Sequence, residues 1–139
     1  MPQAVSEIMT TDPETCELSA GIADAAKLMR DRDIGAVIAV EDGAVRGIVT
    51  DRDIVVRGLA QGRSSDELRV GDVCSGDVET LTPDDTLDEA IRIVRERHVR
   101  RVPVVDGDRP VGIVSIGDLA IERDPDSALG EISAAPSDS

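Results

Sequence analysis

Apolar positions recur along the chain in two rhythms. Ile22, Ala25, Ala26 and Met29 stand at i, i+3, i+4 and i+7, as do Leu87, Ala90, Ile91 and Val94. Each set predicts one apolar face of a helix. A β-branched run follows each helix, AVIAV at 36–40 and RVPVV at 101–105, and then a polar turn containing Gly43 or Asp106-Gly107. A second run comes next, VRGIV at 45–49 and PVGIV at 110–114. Two such runs across a tight turn predict a hairpin, and Pro103 and Pro110, which have no N–H to donate, favour edge or strand-end positions. Thr50 and Ser115 close the hairpins, RDIVVRGLA and GDLAIER read as final helices, and first strands are expected near Glu14 to Glu17 and Glu79 to Leu81. Thr82-Pro83 with Asp85 has the spacing of a capped helix start, and Ser19 is the expected cap of the first helix.

The two rhythms are one unit written twice. A shift of 65 residues, from Gly47 to Gly112, aligns residues 5–56 with 70–121 without a gap. It matches Val5 with Val70, Glu14 with Glu79, Ala25 with Ala90, Arg30 with Arg95, Val37 with Val102 and Asp53 with Asp118. The expected organisation is a first repeat at 4–60, a linker at 61–69, a second repeat at 70–123 and a flexible acidic tail at 124–139. One unit of about 55 residues is marginal alone. The expected fold is therefore α+β, two β-α-β-β-α repeats packed sheet to sheet with pseudo-two-fold symmetry.

Composition narrows the chemistry. With 15 basic against 29 acidic residues the formal charge is −14, which argues against nucleic acid and anionic membrane as partners. No apolar run approaches the ~20 residues that span a bilayer, and no basic-then-apolar leader opens the chain, so the expectation is a soluble, cytoplasmic protein. The sequence has no Phe, Tyr or Trp, so a flat ring bound here must lie between aliphatic side chains and backbone. Cys16 and Cys74 have no metal-ligand spacing and read as small apolar groups. His98 is the single histidine, near a helix end that favours a cation. No Walker loop, G-x-G-x-x-G or G-x-S-x-G motif occurs. Neither catalysis nor a metal or required cofactor is expected.

GIVTDRD, 47–53, is the acidic turn that closes the first hairpin, and GIVSIGD, 112–118, is its copy. Together with VSEIM, VGDVC and RVPVVDGDRPVGIVS, these stretches resemble the cystathionine-β-synthase (CBS) domain. The pair resembles a stand-alone Bateman module over roughly residues 4–122. The resemblance implies a regulatory homodimer that binds AMP, ADP, ATP or S-adenosylmethionine between its repeats and signals to a protein target. It places the strand-end hydroxyl near phosphate and the aspartate on the ribose diol, a geometry suited to charge-assisted hydrogen bonds. Carried onto this chain, the first site joins Thr50, Asp51, Arg52 and Asp53 with Val78, Val99, Arg100 and Arg101. The second joins Ser115, Ile116, Gly117 and Asp118 with Pro13, Ile34, Gly35 and Ala36. On that grouping the first site has the basic pair and is the one expected to hold a phosphorylated nucleotide.

A plainer reading stands beside this one. Thr50 or Asp51 in the first turn and Ser115 in the second are also good helix N-caps, and Arg100 and Arg101 are equally suited to exposed ion pairs. Three functions follow in order: a ligand-sensing regulatory module, a ligand-free scaffold acting through its dimer surface, and last a small enzyme. Ile54, Val55, Leu59, Leu119 and Ile121 of the final helices are candidates for the dimer surface.

Overall fold

The structure is a computed structural model and describes residues 3–76 and 78–123; the expected tail and the Ile121 side chain lie outside the described residues. In chain order, a 3-10 turn (Val5–Glu7) precedes β1 (Thr10–Thr11), β2 (Thr15–Glu17), α1 (Ile22–Arg32), β3 (Ala36–Glu41) and β4 (Ala44–Thr50). Then come α2 (Asp51–Asp53), which runs on through a π-type turn (Ile54–Gly58) and a 3-10 turn (Leu59–Gln61), and α3 (Val70–Val73). The chain continues with α4 (Leu87–Arg97), β5 (Arg101–Asp106), β6 (Arg109–Ser115) and α5 (Ile116–Arg123). The fold is α+β with two three-stranded sheets, ordered β2-β3-β4 and β1-β6-β5.

Tight turns fix the register of both hairpins. Asp42 and Gly43 have φ of 54° and 83°, the positive pair that a type I′ turn requires. Ala36 therefore lies opposite Thr50 and Val37 opposite Val49. In the second hairpin Gly107 has φ of 69°, and Arg101 lies opposite Ser115. β2 runs parallel to β3, as its crossover through α1 demands.

The chain divides into two compact units that cut across the sequence repeats. One takes the described residues up to Pro13 together with those from Glu79; the other is Glu14 to Val78. The leading segment of each repeat is thus built into the other repeat's unit. Val5 is fully buried in a core with Leu81, Leu87, Ala90, Val102 and Val114, and its N–H donates to the Asp85 carbonyl at 2.8 Å. Val70 and Val73 are fully buried with Ile22, Ala25, Val37 and Val49, and Val70 N–H donates to the Ala20 carbonyl at 2.8 Å. Leu68 joins the same core, so the expected linker is anchored at its end.

At the sheet edges the exchange repeats in register. Thr10 pairs with Ile113, and Ser75 bonds Ile48 in both directions, at 3.2 and 2.9 Å. These are the same two positions of each repeat, crossed. The glycine of each GIV triplet lets the crossing segment approach. A Cβ on Gly47 would collide with the Ser75 carbonyl oxygen, and one on Gly112 would meet Met9 Sδ at 2.5 Å and Thr10 O at 3.1 Å.

Several sequence expectations are corrected. Thr86 caps α4, its hydroxyl accepting from Glu89 N–H at 3.2 Å, while Thr82 N–H donates to Asp85 Oδ2 at 2.8 Å in the turn before it. α1 follows Gly21 rather than Ser19 and has no side-chain cap; the Leu68 carbonyl takes the Ile22 N–H instead. On the helix faces Ala26 is exposed, and Ile93, not Ile91, is buried. Leu81 makes a single parallel bridge to Val104 where a strand was expected.

Cys16 and Cys74 are free thiols packed against the first core. Burial pushes the Cys16 thiol up to about 11, with neighbouring Cys74, Glu17 and Asp24 adding to the effect. Burial likewise pushes Cys74 up. A folded-state thiol that keeps its proton longer than the unfolded one contributes stability that is lost as pH rises. Urea midpoints are therefore expected to fall between about pH 9 and about pH 11, and Cys16→Val to flatten part of that fall. Parallel profiles for the two proteins would contradict this assignment.

Candidate functional site

Each hairpin ends in a reciprocal cap. Thr50 is extended, with φ −114° and ψ 164°, so its side chain reaches forward over the first turn of α2. Its hydroxyl accepts from Asp53 N–H at 3.0 Å, and its own N–H donates to Asp53 Oδ2 at 2.9 Å. The second repeat does the same: Ser115 Oγ accepts from Asp118 N–H at 3.1 Å, and Ser115 N–H donates to Asp118 Oδ2 at 2.9 Å. The plainer reading of Thr50 and Ser115 as caps is therefore correct, while Asp51 is the first residue of the helix rather than its cap. It is also compatible with binding, because the cap uses Oδ2 and fixes the carboxylate. Oδ1 of Asp53 lies 3.9 Å from Arg57 Nε.

The hairpins regroup the expected site residues. Because the first residue of one strand opposes the last of the next, Thr50 lies beside Ala36, and Asp51 N–H donates to the Gly35 carbonyl at 3.0 Å. Ser115 lies beside Arg101, and Ile116 N–H donates to the Arg100 carbonyl at 2.8 Å. Thr50, Asp51, Arg52 and Asp53 thus share a unit with Ile34, Gly35, Ala36 and Val78. Ser115, Ile116, Gly117 and Asp118 share the other with Pro13, Val99, Arg100 and Arg101. The resemblance joins Arg100 and Arg101 to the first turn and Ile34 to Ala36 to the second; within each hairpin the register sets Ala36 opposite Thr50 and Arg101 opposite Ser115. Pro13 lies in the unit of the Ser115 turn and Val78 in that of the Thr50 turn.

Electrostatics now separate the two turns. In the first, Asp51 Oδ1 accepts from Arg52 N–H at 2.8 Å, so a carboxylate sits on an amide that an anion could otherwise use. In the second, Ile116 and Gly117 stand at the corresponding positions, and an isoleucine cannot cap the glycine's amide. A helix start of this kind favours an anion, and Arg101 lies opposite Ser115, while at the first turn Arg57 Nε lies 3.9 Å from the Asp53 carboxylate. That Ala36 meets Thr50 and Arg101 meets Ser115 is legible in the sequence, since a two-residue turn dictates which strand ends meet.

Among the described residues, no group of three or more His, Cys, Asp or Glu side chains could hold a metal ion, and no helix is long and apolar enough to cross a membrane.

A family model described as CBS domain matches residues 5–59 and 70–123. The chain is 36% identical over 127 residues to the CBS domain-containing protein YhcV of Bacillus subtilis, covering 91% of this chain and 90% of that one. It is 38% identical over 97 residues to hypoxic response protein 1 of Mycobacterium tuberculosis, covering 69% and 68%. Among solved structures, the CBS domain pair of protein MJ0100, in complex with 5′-methylthioadenosine and S-adenosyl-L-methionine, superposes with a TM-score of 0.80 at 26% identity. That match covers 91% of this chain and 100% of that one.

Proposed function

The chain belongs to the CBS domain family, and from that premise we propose that it senses an adenosyl ligand and passes the change to a protein partner. Stand-alone CBS-pair proteins are regulatory modules rather than enzymes, and the ligands of the MJ0100 pair are adenosyl compounds. The observation that carries the reading is the Ser115–Asp118 cap beside Arg101. It holds a carboxylate for a ribose diol next to positive charge for a phosphate, which favours AMP, ADP or ATP at this turn. The Thr50–Asp53 turn has the same carboxylate but is closed by Asp51, so an uncharged adenosyl group or S-adenosylmethionine suits it better.

Calorimetric titration with AMP tests the reading. Asp118→Ala is expected to weaken AMP binding by about tenfold or more, and Asp53→Ala to leave it nearly unchanged. A thermal melt checks that each variant is folded, since a lost cap alone costs about 1 kcal/mol. Unchanged affinity in a folded Asp118→Ala would contradict the assignment.

A second reading, a homodimer that acts through its surface, is favoured by one observation. Val55, Val56 and Leu59 of the α2 segment are 55%, 44% and 52% exposed, a cluster of large apolar side chains that water alone does not favour.

A further inference from the structure

Between α4 and α5 lies a groove of about 490 Å³, lined by Ile91, Val94, Val99 and Leu119, with Arg95 and His98 among its walls. None of its lining residues is acidic, although the chain has 29 acidic residues against 15 basic ones. Neither the Arg95 nor the His98 side chain has a hydrogen-bond or ion-pair partner among the described residues. The first repeat differs here, because Asp33 and Asp51 stand where the groove has His98 and Ile116. A segment that is apolar and acidic at once therefore suits this groove and not its counterpart.

We infer that segment 124–132 of the same chain, which lies outside the described residues, docks back into the groove. It reads DPDSALGEI, with Leu129 and Ile132 for the apolar lining, Asp124, Asp126 and Glu131 for the two basic side chains, and no Lys or Arg. Its reach is sufficient. Leu119 lies about 6 Å back along α5 from Arg123, and Leu129, six positions beyond Arg123, has about 20 Å of extended chain to use. Pro125 favours the turn back, since it disfavours helical backbone at Asp124. The chain beyond the first repeat's last helix also returns to its own unit, where Leu68 is 2% exposed in the core. That place is already filled in the second unit. There the Gln3 carbonyl accepts from Leu87 N–H at 3.1 Å, as the Leu68 carbonyl does from Ile22 N–H at 3.2 Å. The α4–α5 groove is the apolar surface left beside the end of α5.

His98 is the single histidine, so its imidazole protons give one assignable set of NMR signals in the full chain. Leu129→Asp with Ile132→Asp is expected to shift those signals and to speed amide exchange in 91–98 about fivefold or more. A thermal midpoint within a few degrees of wild type shows that this variant is folded. In an Ile91→Asp background the same two changes are expected to add nothing, because the groove is already spoiled; Ile91→Ser serves if Ile91→Asp unfolds the chain. Unchanged His98 signals and unchanged exchange in the folded double variant overturn the docking. An effect that persists in full in the Ile91 variant overturns it as well. So does an effect seen only at concentrations where sedimentation shows a dimer, which assigns the groove to a second copy.

Discussion

Gly47→Ala is expected to lower the thermal midpoint by on the order of 10 °C, and Gly112→Ala by only a few degrees. Both glycines sit at the same place in the two repeats and both face a crossing segment. The difference lies in what a methyl group would strike. At Gly47 it meets the carbonyl oxygen of Ser75, and Ser75 is itself held by paired backbone hydrogen bonds to Ile48. Relief requires breaking that bridge, for a loss of about 3 kcal/mol. At Gly112 the nearest atom belongs to the Met9 side chain, whose unbranched thioether can rotate away. Scanning calorimetry of the two variants decides the point, and equal shifts would contradict the crossing geometry.

Val70→Asp is expected to open the unit of residues 14–78, although Val70 begins the second repeat. Val70 is 0% exposed and packs with Ile22, Ala25 and Val37. An ionised carboxylate there has no partner, and the loss should reach about 4 kcal/mol or more. Val5→Asp is the mirror experiment, since Val5 is 0% exposed in the core of Leu81, Leu87 and Val102. Amide hydrogen exchange followed by mass spectrometry reads the result locally. Protection should fall first in 14–78 for Val70→Asp and first in 79–123 for Val5→Asp. Loss in the opposite order would mean that the leading segments stabilise their own repeats.

The hairpins, α1 and α4 were legible because their signals are local: β-branched runs around Asp42-Gly43 and Gly107, and apolar residues at helical spacing. The duplication made the same reading twice. Exchange of the leading segments was not legible, because Val5 and Val70 align perfectly by sequence while their contacts are crossed. Caps were misplaced for a related reason. Thr82 and Thr86 both have the right side chain, and only the position of Gln3, whose carbonyl accepts from Leu87 N–H at 3.1 Å, shows where α4 begins. At the candidate site the pairing of Thr50 with Asp53 and of Ser115 with Asp118 was legible from their repetition. The partner of the arginines could not be read from repetition alone, and it is the hairpin register that puts Arg101 opposite Ser115.

The role of Asp51 also changes. In the sequence it is a candidate for the first site and for the helix cap. In the structure it closes the Arg52 amide and thereby makes the two turns chemically unlike, although both keep the hydroxyl and the aspartate.

A crystal structure of the protein saturated with AMP tests the ligand assignment most directly. The predicted density has the ribose diol on the Asp118 carboxylate and the phosphate on the side of Arg100 and Arg101, with no phosphate at Thr50 to Asp53. Phosphate density on the Thr50 turn, or crystals that take up no AMP at saturation, would contradict it.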